Sequence, residues 1–287
     1  MTAEEHLSAG RLDEALAELQ EKVKKQPADA KLRVFLFQLL AVMGRWDRAL
    51  TQLQVAGEID PKAQAMTQTY REALRCELLR AEIFAGKKTP LLFGKPADWM
   101  AWLVQAVKLS ADGNDDEAAA LRDRAFEAAP ATTGKLDGEP FAWLADADSR
   151  LGPMLEAIVN GRYYWIPFNR IKSLRFEKPT DLRDVVWTPA NVTFANGGET
   201  VTLIPTRYPG TEAASDSRLK LSRATDWVER PGGAFVGLGQ RLLATDQGEK
   251  ALMDVRAIQL DVSEADAKDL APGADDPSAV VDDPASP

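Results

Sequence analysis

The chain has 287 residues, 45% of them hydrophobic, with 35 Lys and Arg against 44 Asp and Glu for a formal net charge of −9. That is enough apolar material to bury a sizeable core in one large domain or two ordinary ones, which excludes collagen-like, wholly disordered and disulfide-scaffold classes. A single Cys (Cys76) allows no internal disulfide and fits a reducing compartment, and a single His (His6) removes His-clustered metal sites and His-based triads.

At the start, Glu4 and Glu5 stand where a secretory segment would carry basic and then apolar residues, so no such segment is expected. A fixed period follows. Gly10-Arg11-Leu12-Asp13-Glu14-Ala15-Leu16 returns 34 residues later as Gly44-Arg45-Trp46-Asp47-Arg48-Ala49-Leu50, and Leu19/Leu53 and Pro27/Pro61 keep the offset. A third copy starts at Gly113-Asn114-Asp115-Asp116-Glu117-Ala118; the gap from Gly to Pro (27, 61, 130) is seventeen in all three. This spacing resembles the tetratricopeptide repeat. Gly permits the turn between antiparallel helices, Ala their close approach, and Pro ends one helix and opens the next. Leu12, Leu16, Leu19 and Val23 step by three or four and form one apolar stripe. Leu32–Met43 is apolar nearly all round, as a helix covered on two sides must be, and is too short to span a membrane. Met66, Tyr70, Ala73, Leu74, Leu78 and Ala81 predict a long helix ending near Gly86, with Cys76 on its apolar face as an inert buried thiol. Residues 86–96 read as an irregular insertion. Trp99, Leu103, Ala106 and Val107 predict a helix capped by Asp98, pairing with Ala118, Leu121, Ala125 and Phe126.

After Pro130 the pattern changes. Leu151, Leu155 and Ile158 predict a leading helix over 149–160, stopped by Gly161. Strands are then predicted at 163–168, 171–176, 192–195, 200–204, 235–238, 241–244 and 255–260, with Asn196-Gly197-Gly198 as a hairpin turn. Val201 and Leu203 alternate with threonines, predicting an apolar inner face. The fold class is α+β: a tetratricopeptide-like helical array over 1–130, then a small antiparallel β-rich domain over 131–262. Residues 263–287 carry −6 of the net charge and four prolines, and are predicted to be a disordered acidic tail. No basic patch remains, so nucleic acid is not an expected partner, and neither is a membrane.

Two punctuated stretches stand out in the second half: 146–153 (Asp-Ala-Asp-Ser-Arg-Leu-Gly-Pro) with 160–168 (Asn-Gly-Arg-Tyr-Tyr-Trp-Ile-Pro-Phe), and 204–210 (Ile-Pro-Thr-Arg-Tyr-Pro-Gly). With them go 182–187 (Leu-Arg-Asp-Val-Val-Trp), 223–227 (Arg-Ala-Thr-Asp-Trp) and 237–241 (Gly-Leu-Gly-Gln-Arg). This set, in this order after a tetratricopeptide-like region, resembles the ImpE/SciE/TagJ family of type VI secretion accessory proteins over roughly residues 1–262. The resemblance implies a cytoplasmic, non-enzymatic adaptor. Its implied partners are the N-terminal helical segment of the small sheath subunit and the AAA+ ATPase that recycles contracted sheath. It brings no catalytic, cofactor or metal residues, and it does not reach the tail.

The residues themselves leave two other readings open: a tetratricopeptide scaffold for an unrelated partner, and an enzyme with a carboxylate and arginine site. Asp146 and Asp148 with Glu156 could serve as acid/base carboxylates near Arg207, Arg223 and Arg241. The blander account makes Asp146, Asp148 or Ser149 caps of the leading helix, with Arg150 and Arg162 as ion-pair partners. Gly237-Leu238-Gly239 lacks the third glycine of a dinucleotide loop and reads as a tight turn. The candidate partner-binding residues are Trp143, Tyr163, Tyr164, Trp227, Arg207 and Arg241. Core is the preferred assignment for Trp165 and Trp187.

Overall fold

The structure is a computed structural model that describes residues 1–270. Helices α1 (Ala3–Ser8), α2 (Leu12–Lys25), α3 (Ala30–Val42) and α4 (Trp46–Ile59) form two antiparallel pairs. The long α5 (Gln64–Phe84) follows, then the pair α6 (Asp98–Ala111) and α7 (Asp115–Ala128). Asp29 caps α3 by accepting from the Lys31 and Leu32 amides, and Leu36 to Val42 are all buried, as the all-round apolar pattern requires. Asp98 is the first residue of α6 rather than its cap, which is Ala97. The repeat glycines Gly10, Gly44 and Gly113 take φ of 74°, 67° and 84°. A Cβ at Gly44 would sit 2.4 Å from Glu212 Cβ, whereas one at Gly113 meets nothing within 4 Å. Gly113→Ala should therefore cost only the left-handed strain, roughly 1–2 kcal/mol, and Gly44→Ala distinctly more, read as the shift in urea midpoint.

The strands are β1 (Leu91–Leu92), β2 (Gly134–Leu136), β3 (Glu139–Phe141), β4 (Leu144–Asp146), β5 (Met154–Val159), β6 (Arg162–Pro167) and β7 (Ile171–Phe176). After them come β8 (Trp187–Phe194), β9 (Glu199–Pro205), β10 (Thr225–Arg230), β11 (Ala234–Gly239), β12 (Leu242–Thr245), β13 (Gly248–Ala251) and β14 (Ala257–Leu260). Two short helices, α8 (Ser217–Lys220) and α9 (Glu264–Lys268), complete the α-helices among the described residues. Nine strands form one sheet in the order β1-β6-β5-β9-β8-β7-β14-β2-β3, antiparallel except that β1 lies parallel to β6. The residues read as an irregular insertion thus supply its edge strand. Strands β13-β12-β4 make a second sheet and β10-β11 a third. The predicted hairpin is present between β8 and β9, with φ of 85° at Gly197.

The large sheet is buried on both faces. Met154, Ile158, Tyr163, Trp165, Trp187 and Leu203 join the core of the helices, while Leu155, Ala157, Val159, Tyr164 and Ile166 line a second core. This explains the error over 149–160, where the structure has a turn followed by β5 and no leading helix. A strand covered on both sides reads as a continuous apolar run, and its period cannot distinguish it from a buried helix. The alternation over 200–203 holds at Leu203, which is buried, and fails at Val201 and Thr202. Thr202 is 1% exposed with its hydroxyl donating to the Ile158 carbonyl at 2.8 Å, and Val201 is 64% exposed. Gly237 and Gly239 lie inside β11 and form no turn. Each is placed for close approach, a Cβ at Gly237 meeting the Tyr208 ring at 2.2 Å.

The acidic segment is ordered at its beginning. Ser263 caps α9, Leu270 is buried, and the Lys95 amide donates to the Asp269 carbonyl at 3.0 Å. The reading of 271–287 as disordered lies outside the described residues. No helix among the described residues is long and apolar enough to cross a membrane.

Candidate functional site

The most concentrated chemistry lies where α5 meets the large sheet. On α5 the buried stripe runs through Tyr70, Ala73, Leu74, Glu77, Arg80 and Ile83, so two charged residues occupy core positions. Leu78, read as part of the stripe, is 49% exposed. Arg80 faces Glu156 on β5. Its Nε donates to Oε1 at 2.5 Å and its Nη2 to Oε2 at 2.8 Å, a bidentate pair. Arg241 donates to Glu156 and to Asp146, and its Nε reaches the Pro205 carbonyl at 2.9 Å. The Tyr163 hydroxyl donates to Glu156 and accepts from Trp165 Nε1 at 2.8 Å. Trp187 Nε1 donates to Glu77 Oε1 at 2.9 Å. Asp148 accepts from Arg150 Nη2 at 2.6 Å and from the Gly237 amide at 2.9 Å.

Burial pushes Asp146 up to about 6 against the pull of Arg241. Burial pushes Glu156 up too, but Arg80 and Arg241 more than offset it and hold its carboxyl at about 2. Burial also pushes the Cys76 thiol up to about 12, so it is protonated at neutral pH.

Two arginines of the β region grip the helical repeat. Arg207 Nη1 donates to the Val42 carbonyl at 2.8 Å and Nη2 to Ala41 at 3.4 Å, at the C-terminal end of α3. Arg223 Nη1 donates to Ser8 at 2.9 Å and Nη2 to Leu7 at 3.2 Å, at the end of α1. The residue pairs 7/8 and 41/42 are one repeat apart. Each guanidinium satisfies orphan carbonyls and complements the negative end of its helix. The repeat period is thus matched by the β region, which caps the first helix of two successive repeats.

The predicted site residues therefore separate. Tyr163, Tyr164, Arg207 and Arg241 are 4% exposed or less: Arg207 reaches the helices, Tyr163 lies in the core shared with them, Tyr164 lines the second core and Arg241 bonds within the β region. Arg207, Arg223 and Arg241 reach different partners and do not converge on a pocket. Arg150 pairs with Asp148 as expected, whereas Arg162 lies over the Tyr164 ring. Asp146 sits in β4 and caps no helix. Trp165 and Trp187 are core at 0% exposure. Trp227 is half-buried on β10, its ring 5.5 Å from that of Tyr208. The sequence reading passed over Glu77 and Arg80. Their signal was there: both fall on the three-four spacing of the α5 stripe.

Trp143 is different. It is 40% exposed and, with Phe126 at 38%, lines a groove of about 430 Å³ between the end of α7 and strands β4 and β12. Ala129, Pro130, Ala131, Ala147 and Pro153 add apolar wall, and Glu249 is polar. Phe126 packs over Gly152, where a Cβ would stand 2.4 Å from the ring. Asp246 fixes the segment carrying Trp143 by accepting from the Ala142 amide at 2.7 Å. Among the described residues no group of three or more His, Cys, Asp or Glu side chains could hold a metal.

The ImpE protein family matches residues 138–259, and a tetratricopeptide repeat family matches residues 6–68. The crystal structure of protein VPA1032 from Vibrio parahaemolyticus shares the fold, with a TM-score of 0.83 at 24% identity over 92% of this chain and 98% of that one. The type VI secretion system accessory component TagJ of Pseudomonas aeruginosa is 54% identical over 265 residues, 92% of this chain and 93% of its own. Helical repeats, the β region that caps them and this identity over nearly the whole length agree: the chain belongs to the ImpE/TagJ family of type VI secretion accessory components.

Proposed function

We propose that this chain is a non-enzymatic cytoplasmic adaptor that captures the amphipathic N-terminal helical segment of the small sheath subunit. On this reading it links that subunit to the AAA+ ATPase that recycles the sheath. The observation that carries the proposal is the groove at Phe126 and Trp143, where two large aromatic side chains stay half open in a molecule that buries most of its others. An amphipathic helix docks by laying its i, i+3/i+4, i+7 side chains into such a groove, and Trp is the residue type most enriched among interface anchors. Glu156 is ion-paired with Arg80 and Arg241, and Asp146 with Arg241, which supports the non-enzymatic reading.

Titration of the sheath segment into the purified protein tests this. Binding should register at micromolar Kd, and Trp143→Ala should weaken it about tenfold or more while leaving the unfolding midpoint unchanged. No binding at micromolar concentration, or full binding by the Trp143→Ala and Phe126→Ala variants, would remove the proposal.

A further inference from the structure

Among the described residues three aromatic side chains are exposed: Phe126, Trp143 and Phe235, the last at 48%. They belong to α7, the segment before β4, and β11, yet all three meet on residues 143–153. Trp143 opens that stretch, and Phe126 packs over Gly152 within it. The Phe235 amide donates to Ser149 Oγ at 3.0 Å, and the Phe235 carbonyl accepts from the Ser149 amide at 3.0 Å. Ser149 and Gly152 both line the groove that Phe126 and Trp143 share. Phe235 therefore stands one hydrogen-bonded residue beyond the groove wall.

The β10–β11 ribbon holds it there. Its register sets Trp227 opposite Gly237 and Glu229 opposite Phe235, so Trp227 and Phe235 share a face. Trp227 is half-buried beside Tyr208, whereas Phe235 stays exposed. At the tip of the ribbon the Gly232 carbonyl accepts from Arg122 Nη2 at 2.8 Å. Arg122 lies one turn before Phe126 on α7, so one helix fixes both the ribbon and the first aromatic.

The charge around the three aromatics has one sign. Glu127 follows Phe126, Glu229 lies opposite Phe235, and Glu249 lines the groove; all three are exposed. Among the described residues none of the three is ion-paired, and no Lys or Arg lines the groove. Open aromatics with unpaired acids at their rim complement an apolar stripe flanked by cations. The six steps from Trp143 to Ser149 span at most about 20 Å, the length of about 13 helical residues.

Taking the groove as the site of the sheath segment, on which this step rests, we infer that the docking surface runs past the groove onto β11. Phe235 is its third aromatic anchor, and Glu127, Glu229 and Glu249 form its acidic rim. The docked segment is an amphipathic helix of about four turns whose flanks carry Lys or Arg.

Binding kinetics of the N-terminal segment of the small sheath subunit on the full chain test this. Phe235→Ala should raise the Kd about tenfold and leave the unfolding midpoint unchanged, since the side chain is exposed. Changing Glu127, Glu229 and Glu249 together to Gln should slow association several-fold at about 50 mM salt and remove most of its salt dependence. Val201→Ala, exposed on β9 outside this surface, is the control and should alter neither rate. Wild-type affinity in Phe235→Ala, or unaltered association in the Gln variant, overturns the extended surface while the groove itself stands. No binding by the wild type removes both.

Discussion

Replacing Glu156 with Ala should destabilise the protein by about 3–5 kcal/mol, the penalty for leaving buried charges without their partner. Arg80 and Arg241 would both lose their shared carboxylate at 5% and 0% side-chain exposure, and Tyr163 its acceptor. At about 2–4 °C per kcal/mol for a chain of this size, the melting temperature should fall by about 6–20 °C. The exposed pair Lys24–Glu21 is the control: Glu21→Ala should change nothing measurable. Glu156 also sets the acid limit. Its folded value lies near 2, below the ordinary 4.5, so its contribution is fully present above about 4.5 and is lost as pH falls toward 2. Asp146 acts in the other sense. Burial raises it to about 6, so it opposes folding increasingly as pH rises from its ordinary 3.8 toward 6. Urea midpoints across this range should therefore drop on the acid side in the wild type, and the Glu156→Gln variant should lose most of that drop.

Trp187→Ala should cost a similar amount, about 3–5 kcal/mol, through the cavity it leaves. The indole is fully buried, with its ring 6.2 Å from Trp46 on α4 and 5.7 Å from Tyr70 on α5, so it is a strand residue packed into the helical array. Its N–H satisfies Glu77, whose carboxyl burial pushes upward. Trp187→Phe separates the two contributions. It keeps most of the volume and should cost about 1–3 kcal/mol, chiefly the lost hydrogen bond. Chemical denaturation of both variants measures the difference, and a cost for Trp187→Phe as large as for Trp187→Ala would show that packing contributes little at this seam.

How legible each part was follows from how many of its faces are covered. The helical pairs expose one side, so Leu12, Leu16, Leu19 and Val23 stand out against a polar background and the period of 34 can be counted. Strand β5 exposes neither side, and Met154–Val159 lost the alternation that marks a strand. Val201 and Thr202 misled for the opposite reason. The helices do not extend over Val201, while the Thr202 hydroxyl finds the Ile158 carbonyl inside the sheet. Tyr163 and Arg241 carry the chemistry of interface anchors, and it is the fold that brings Glu156 to Tyr163 and Asp146 to Arg241 from distant parts of the chain. Glu77 and Arg80 were hidden because charge was taken to mean surface, although their spacing placed them on the buried stripe. Trp143, in the segment before the short strand β4, is 40% exposed and shares a groove with Phe126.

Hydrogen exchange of the full chain with and without the N-terminal segment of the small sheath subunit tests the adaptor account most directly. The account predicts slowed exchange at residues 126–131 and 143–149, around Phe126 and Trp143, with the junction of Arg80, Glu156 and Arg241 unchanged. Protection restricted to α1 through α4, or none at saturating segment, would contradict it.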